Sequence, residues 1–432
     1  MKGFVSNIYI KNFSWLLIEK IIRIFSGVLV GASVARYLAP EQFGLFNYAL
    51  SFASMFTAFS TLGLDGLVVR ELVKNNYTRD AILGTAFFLR LFGAFTVGFL
   101  VLLSMMIISL EYNTKILILI ITCATIFQSF NVVDLFFQSQ TLSKPVVIVN
   151  IITLLISSII KIVFIVFKMP LITFAWIVLF DSIFLSICFL IIYSKKKISI
   201  SNWIFDKKIA VSLLKDSFFY MISATIISFY MKIDQVMIGN ILGPKYVGEY
   251  AVAAKLSELW YFIPIIISQS IFPSLEKTKI ISKKLFYDKL EKLFVVGYLT
   301  SIFIILSTIL LSKFVIITLY GIAYSNAVVV LIIHITSLIF VFQRVATEYW
   351  ILSENLKYFE IIKTFISLII NVLLNIFLIK KYGISGAAIS TVITLFFSGY
   401  LSFAFYKKAH PVFQIMTRTL LFQNLKILKL KK

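Results

Sequence analysis

YLAPEQFGLFNYAL, residues 37–50, returns as ILGPKYVGEYAVAA at residues 241–254. Both copies fit L-[AG]-P-x-x-x-G-x-[FY]. Leu38, Pro40, Gly44 and Phe46 are answered by Leu242, Pro244, Gly248 and Tyr250, 204 residues on. Proline suits the first turn of a helix, where its missing N–H has no partner to lose. A glycine four residues later lets a neighbouring helix come close. Each copy follows one long apolar run and opens the next. The offset is close to half of the 432 residues, so the chain reads as one unit repeated twice in the same orientation.

Around the motif the sequence is apolar. It is 60% hydrophobic and 14% charged, with a mean hydropathy of +0.99. Soluble domains carry about 25% charged residues. A soluble enzyme, a disordered chain and a secreted disulfide scaffold are therefore excluded. Twelve predominantly apolar runs are long enough to cross a bilayer: 12–36, 43–69, 82–108, 115–140, 146–167, 171–193, 213–240, 247–274, 292–312, 324–350, 358–379 and 384–406. The expected fold is an all-α polytopic membrane protein, with twelve transmembrane helices in two six-helix bundles. The bundles are expected over 1–193 and 213–407, joined by a loop at 194–212 and followed by a basic tail at 408–432. The loops 194–212 and 275–291 are the longest on the inside and lysine-rich. Segment 313–323 is too short to span and is expected to be an interfacial or re-entrant helix. The tail reads either as an amphipathic helix on the anionic inner leaflet or as a disordered basic end. Gly27, Gly31, Gly93 and Gly98 are expected at close helix contacts. Cys123 and Cys188 lie in apolar runs and read as buried thiols.

The charge is lopsided, with 41 Lys and Arg against 19 Asp and Glu. With the N-terminus inside, 25 of the cations fall on inside segments and 7 on outside segments. That bias places both termini in the cytoplasm and draws the inner face toward anionic lipids. No cleavage site follows the first residues, so the first run is expected to be a retained span.

With Arg36, Lys115, Lys292, Asp65, Glu249 and Glu360 at span edges counted in the flanking segments, nine cations and seven anions remain within the spans. Each costs roughly 2.5–3.5 kcal/mol on insertion, so such groups normally face a bundle interior or a watery cavity. Glu19 and Arg23, Arg344 and Glu348, and Lys255 and Glu258 are spaced to meet on one helix face. Lys20 and Arg23 share a stripe with Gly27 and Gly31. Arg90 has no acidic neighbour in its own span. Lys215, Asp216 and Lys363 lie near span ends and are expected to snorkel. His334 reads as a packing histidine. The sequence has no HExxH, CxxC, P-loop or GxSxG, and no large outer loop to carry an active site. No metal, cofactor or nucleic-acid partner is expected.

These residues resemble a known family. NFSWLLIEKIIRIFSGVLVGASVARYLAPEQFGLFNYALSF (12–52) and STLGLDGLVVREL (60–72) are similar to the start of Wzx-type polysaccharide flippases. FYMKIDQVMIGNILGPKYVGEYAVAAKLSELWYFIP (229–264) is similar to that family's seventh and eighth helices. These proteins form the polysaccharide transporter family of the multidrug/oligosaccharidyl-lipid/polysaccharide (MATE-like) exporter superfamily. The resemblance implies two six-helix bundles around a central cavity, alternating access and a bacterial inner-membrane location. It implies transfer of an undecaprenyl-pyrophosphate-linked oligosaccharide to the outer leaflet, for O-antigen, capsule or exopolysaccharide synthesis. Polysaccharide polymerase and chain-length machinery are the implied protein partners. Coupling to a proton or sodium gradient stays open.

A pyrophosphate crossing hydrocarbon needs cationic hydrogen-bond donors, and arginine offers phosphate a fork. Substrate contacts are accordingly expected at Arg23, Arg90 and Lys255, then at Lys20 and Arg344. Asp234 matches an acidic position of the family's seventh helix. With Glu19, Glu258 and Glu348 it is expected to pair with a cation or take part in ion coupling. Three alternatives stand beside this one: a cation-coupled drug exporter, a flippase for teichoic acid or lipid II, and a membrane-embedded glycan-assembly enzyme.

Overall fold

A computed structural model describes residues 2–423 except 75 and 109, without the side chains of 2–11, 13, 273 and 276. Residues 424–432, the end of the basic tail, lie outside the described residues. The chain divides into two compact units, Met1–Ile233 and Asp234–Lys432.

The first unit opens with α1 (Lys2–Met55), α2 (Thr57–Thr61) and α3 (Asp65–Lys74). It continues through α4 (Arg79–Ile107), α5 (Tyr112–Phe127), α6 (Val132–Ser139), α7 (Ser143–Val166) and α8 (Leu171–Ser194). Helix α9 (Lys207–Leu242) ends it and leads into the second unit. There follow α10 (Pro244–Glu258), α11 (Phe262–Ile281), α12 (Lys283–Tyr320), α13 (Ala327–Ile335) and α14 (Leu338–Ser353). Helices α15 (Lys357–Tyr382), α16 (Ile384–Gly399) and α17 (His410–Leu420) complete the described chain.

The repeat is visible in the backbone. In the first copy the helix breaks at Ala39 (φ 55°, ψ 169°) before Pro40. In the second it breaks at Gly243 (φ 101°, ψ 171°) before Pro244. The two residues occupy the same motif position and adopt the same unusual conformation. Glycine takes it freely, whereas an alanine there is strained. A Cβ on Gly243 would meet nothing within 4 Å, so backbone conformation, not space, calls for glycine. Gly44 and Gly248 are both buried. The rods that follow are interrupted alike. Phe56 separates α1 from α2, and 204 residues on a 3₁₀ turn at Leu259–Tyr261 separates α10 from α11. Further on, a 3₁₀ turn at Gln128–Asn131 divides α5 from α6, and Thr336–Ser337 divides α13 from α14.

Ten stretches between Arg79 and Phe405 are long and apolar enough to cross a membrane, and they coincide with ten of the twelve expected spans. The remaining two, 12–36 and 43–69, fall on α1 to α3. The first carries Glu19, Lys20, Arg23 and Arg36, and the second is cut at Phe56 and Leu62. Segment 313–323 is no separate interfacial helix: α12 runs unbroken to Tyr320. The expected loop 275–291 is helical, interrupted only at Ser282 between α11 and α12.

Each unit has its own core. In the first, Ile82, Leu83, Val132, Phe136 and Tyr193 pack together. In the second, Phe286, Phe342, Trp350 and Phe403 do so. Val412, Ile415 and Met416 of α17 belong to that second core, so the apolar face of the tail helix is covered by protein and not by the inner leaflet. Of the expected close-contact glycines, Gly93 qualifies, because a Cβ there would overlap the Phe59 carbonyl. Gly27 and Gly98 have nothing within 4 Å of that position. Cys123 is exposed and Cys188 half-buried, where buried thiols were expected. A lipid-facing surface meets the same apolar preference.

Candidate functional site

Two clusters of polar and charged side chains lie among the helices, one in each unit. In the first unit Arg90 of α4 is only 4% exposed. The left-handed turn at Leu62 and Gly63 redirects the chain so that Asp65 starts α3 opposite it. Arg90 Nη2 donates to Asp65 Oδ1. Arg90 Nε is buried with no hydrogen-bond partner. On α6, Gln138 Nε2 donates to Asp134 Oδ2 at 3.0 Å. A cavity of about 350 Å³ opens among these groups, lined by Thr61, Asp65, Arg90, Asn131, Asp134 and Gln138.

Asp134 lies within electrostatic reach of Glu19, Arg90 and Asp65. Glu19 accepts from Arg23 Nη2 at 2.5 Å and from Asn150 Nδ2 at 3.2 Å. The pairing of Glu19 with Arg23 expected from their spacing is therefore present. Arg23 is half-exposed, and Lys20 is exposed. The cluster thus balances two guanidiniums against three carboxylates, and its charges are paired rather than simply cationic. Arg90 thus lines the cavity with Nη2 engaged by Asp65 and Nε buried without a partner.

The second cluster is built differently. Asp234 of α9 is 3% exposed. Its Oδ1 accepts from Asn375 Nδ2 on α15 at 2.6 Å. Its Oδ2 accepts from Tyr250 Oη on α10 at 3.0 Å and from Thr391 Oγ1 on α16 at 2.5 Å. Asn375 Nδ2 also reaches Asn371 Oδ1 at 3.1 Å. Among the described residues no lysine or arginine pairs with Asp234, and Asn375 Oδ1 is buried without a partner. His334 packs edge-on to Tyr250 and lies 3.0 Å from Ser257 Oγ through Nδ1, as a packing histidine would. Both oxygens of this carboxylate are thus engaged by neutral donors, two hydroxyls and one amide N–H. Among the described residues no group of three His, Cys, Asp or Glu could hold a metal ion.

The other predicted residues of this unit take no part in that ring. Arg344 Nη1 lies 3.4 Å from Glu348 Oε1, the pairing their spacing implied. Lys255 and Glu258 are half-buried on α10, and neither is without a partner. Lys363 does not snorkel. It is 3% exposed, lies 2.7 Å from Glu360 and sits over the Phe359 and Phe403 rings. Of the other two residues expected to snorkel, Asp216 instead pairs with Arg70 Nη2 at 2.7 Å.

Sequence reading passed over Asp65, Asn131 and Gln138 in the first unit and Asn371, Asn375 and Thr391 in the second. One signal was available. Lys363, Ser367, Asn371 and Asn375 recur every four residues along an apolar run, a polar stripe that has to face protein.

Comparisons with known proteins agree with this architecture. A family model described as polysaccharide biosynthesis protein matches residues 9–279. The chain is similar to the capsular polysaccharide biosynthesis protein CapF of Staphylococcus aureus. The two are 22% identical over 407 residues, covering 92% of this chain and 99% of that protein. The structure of lipid II flippase MurJ in an inward closed conformation is also similar. It has a TM-score of 0.74 at 16% identity, over 98% of this chain and 94% of that one. An inward-facing multidrug-resistance MATE transporter of the MOP superfamily gives a TM-score of 0.69 at 12% identity, over 92% and 96%. At such identities the solved structures speak to the fold alone, and that fold is the all-helical, multi-pass membrane architecture of MATE-like transporters. With the family model matched over more than half of its length, this chain belongs to the polysaccharide biosynthesis protein family.

Proposed function

We propose that the chain is a flippase for a lipid-linked glycan. In the finer reading its substrate is an undecaprenyl-pyrophosphate-linked oligosaccharide repeat unit. It moves that substrate from the cytoplasmic to the outer leaflet of the bacterial inner membrane, with both chain termini cytoplasmic. The observation that carries this reading is Arg90, a guanidinium kept at membrane depth beside a polar cavity, with one donor unused. A diphosphate supplies acceptors for that donor and competes with Asp65 for the others, so headgroup binding is an exchange of ion-pair partners. Arg23 and Lys20 on α1, and Lys255 and Arg344 in the second unit, are the further headgroup contacts. Asp234 holds the coupling ion or proton, with Thr391 and the open Asn375 Oδ1 as neutral ligands. The flipped product passes to polysaccharide polymerase and chain-length machinery. The chain does no bond chemistry itself, which separates it from a glycan-assembly enzyme.

The test is transport of the host's lipid-linked oligosaccharide in proteoliposomes, with pH and sodium varied. Arg23→Ala, Arg90→Ala and Lys255→Ala are expected to abolish flipping while the protein stays in the membrane. Full flipping by all three variants would overturn the cationic-contact mechanism. A cation-coupled drug exporter is the second reading, favoured by Asp65 and Asp134 at the cavity wall. Efflux of cationic drugs without flipping of the authentic lipid would establish it instead.

A further inference from the structure

Loop 195–206, between α8 and α9, is held in place yet presents apolar side chains outward. Its indole Trp203 donates from Nε1 to Tyr193 Oη at 3.1 Å and packs on Phe87. Asp206 N donates to Thr85 Oγ1 at 2.9 Å. Asp206 Oδ1 caps α9 by accepting from the backbone N of Lys208 and Ile209 at 2.7 and 3.1 Å. The loop backbone at Ile204 lies so close to Gly84 that any Cβ there would collide with it. Even so, Ile200, Ile204 and Phe205 are 43%, 64% and 49% exposed. A solvated linker has no use for three exposed large apolar side chains on a fixed backbone.

Beside them runs a groove of about 380 Å³, walled by Ile187, Leu190 and Ile191 of α8 and by Ile198 and Ile200 of the loop. Lys195, Lys196 and Lys197 follow directly from the α8 wall, and Lys207 and Lys208 open α9; all five are exposed. The only carboxylate in 195–208 is Asp206, already committed to the α9 cap. The positive-inside bias accounts for lysines here, but not for the apolar groove beside them. An apolar channel bordered by unpaired cations at the end of a span matches one ligand chemistry, an acyl chain carrying an anionic phosphate headgroup.

We infer that this loop and the end of α8 form a binding site for an anionic phospholipid of the inner leaflet, its acyl chain in the groove and its phosphate on Lys195–Lys197. The site rests on the cytoplasmic orientation of the loop and not on what the chain transports, so it can fail or stand independently of the flippase reading.

The test uses the delipidated full-length protein in mild detergent, titrated with dioleoyl phosphatidylglycerol or dioleoyl phosphatidylcholine, with bound lipids counted by native mass spectrometry. Wild type is expected to prefer the anionic lipid by tenfold or more. Lys195→Gln/Lys196→Gln/Lys197→Gln is expected to lower that affinity roughly tenfold. Ile200→Ser is expected to weaken both lipids alike, and Lys380→Gln/Lys381→Gln to change neither. Undiminished preference in the triple lysine variant would overturn the site. So would equal binding of the two lipids by wild type, or equally good binding of water-soluble glycerophosphoglycerol, which has the headgroup and no chain.

Discussion

The two units share a chain break and differ in what they bury. At the break, Ala39 and Gly243 adopt one backbone conformation in two sequence contexts. In the first unit Arg90 pairs with Asp65 at a cavity that Asp134 also lines, and Arg23 pairs with Glu19 nearby. The second surrounds Asp234 with neutral donors and keeps Lys363 with Glu360 as a separate buried pair. Ion pairs beside a cavity can trade partners with an incoming charged ligand. A carboxylate already saturated by hydroxyl and amide N–H donors can take up a small cation or a proton only if those donors reorient. Under the proposed function the first cluster would meet a large anion and the second a small cation.

The largest expected effect tests the anion side. Arg90→Ala should cut flipping in proteoliposomes by at least a hundredfold, because a desolvated charge-assisted contact is lost from the crossing state. Arg90→Lys should keep a measurable fraction, since the charge stays while the fork is lost. Equal rates for wild type and Arg90→Ala would leave the first cluster a structural ion pair.

Next comes the cation side. Asp234→Asn keeps the size and a hydrogen-bond acceptor but removes the charge. It should lower flipping about tenfold and abolish its response to sodium and pH. A variant that still responds like wild type would place the coupling group elsewhere.

A third prediction separates charges buried for structure from charges buried for transport. Lys363→Met leaves Glu360 without its cation and should destabilise the second unit by about 3 kcal/mol in thermal unfolding. Lys363→Met/Glu360→Gln should recover most of that loss, and flipping by the double variant should stay within about twofold of wild type. A double variant as unstable as the single would mean that the aromatic contacts of Lys363 dominate its pairing.

The smallest effect tests the shared break. Ala39→Gly should raise stability by up to about 1 kcal/mol, and Gly243→Ala should lower it by about 1–2 kcal/mol. Opposite signs in the melting temperatures of the two variants would confirm one conformation in both copies. The same sign would refute it.

Much of this was legible in the chain itself. Apolar runs, lysine bias and the Leu-x-Pro repeat are properties of neighbouring residues, and they specified the helical membrane fold and its duplication. Intrahelical pairs such as Glu19 with Arg23 and Arg344 with Glu348 could be read because four residues return a helix to the same face. Arg90 could be picked out as costly, but its partner could not, since Asp65 faces it only through the left-handed turn at Leu62 and Gly63. Lys363 near a span end reads as a snorkelling lysine until the packing of Phe359 and Phe403 encloses it.

Hydrophobic length and charge bias are additive along a sequence, so the sequence by itself determined the apolar helices, their repeat and the presence of charge within apolar runs. Ion pairs and hydrogen bonds act over about 3 Å. Asp234 meets Asn375 and Thr391 across 141 and 157 residues of chain. Which charges are paired, which carboxylate stands among neutral donors and which polar groups line a cavity were therefore decided only by the tertiary structure.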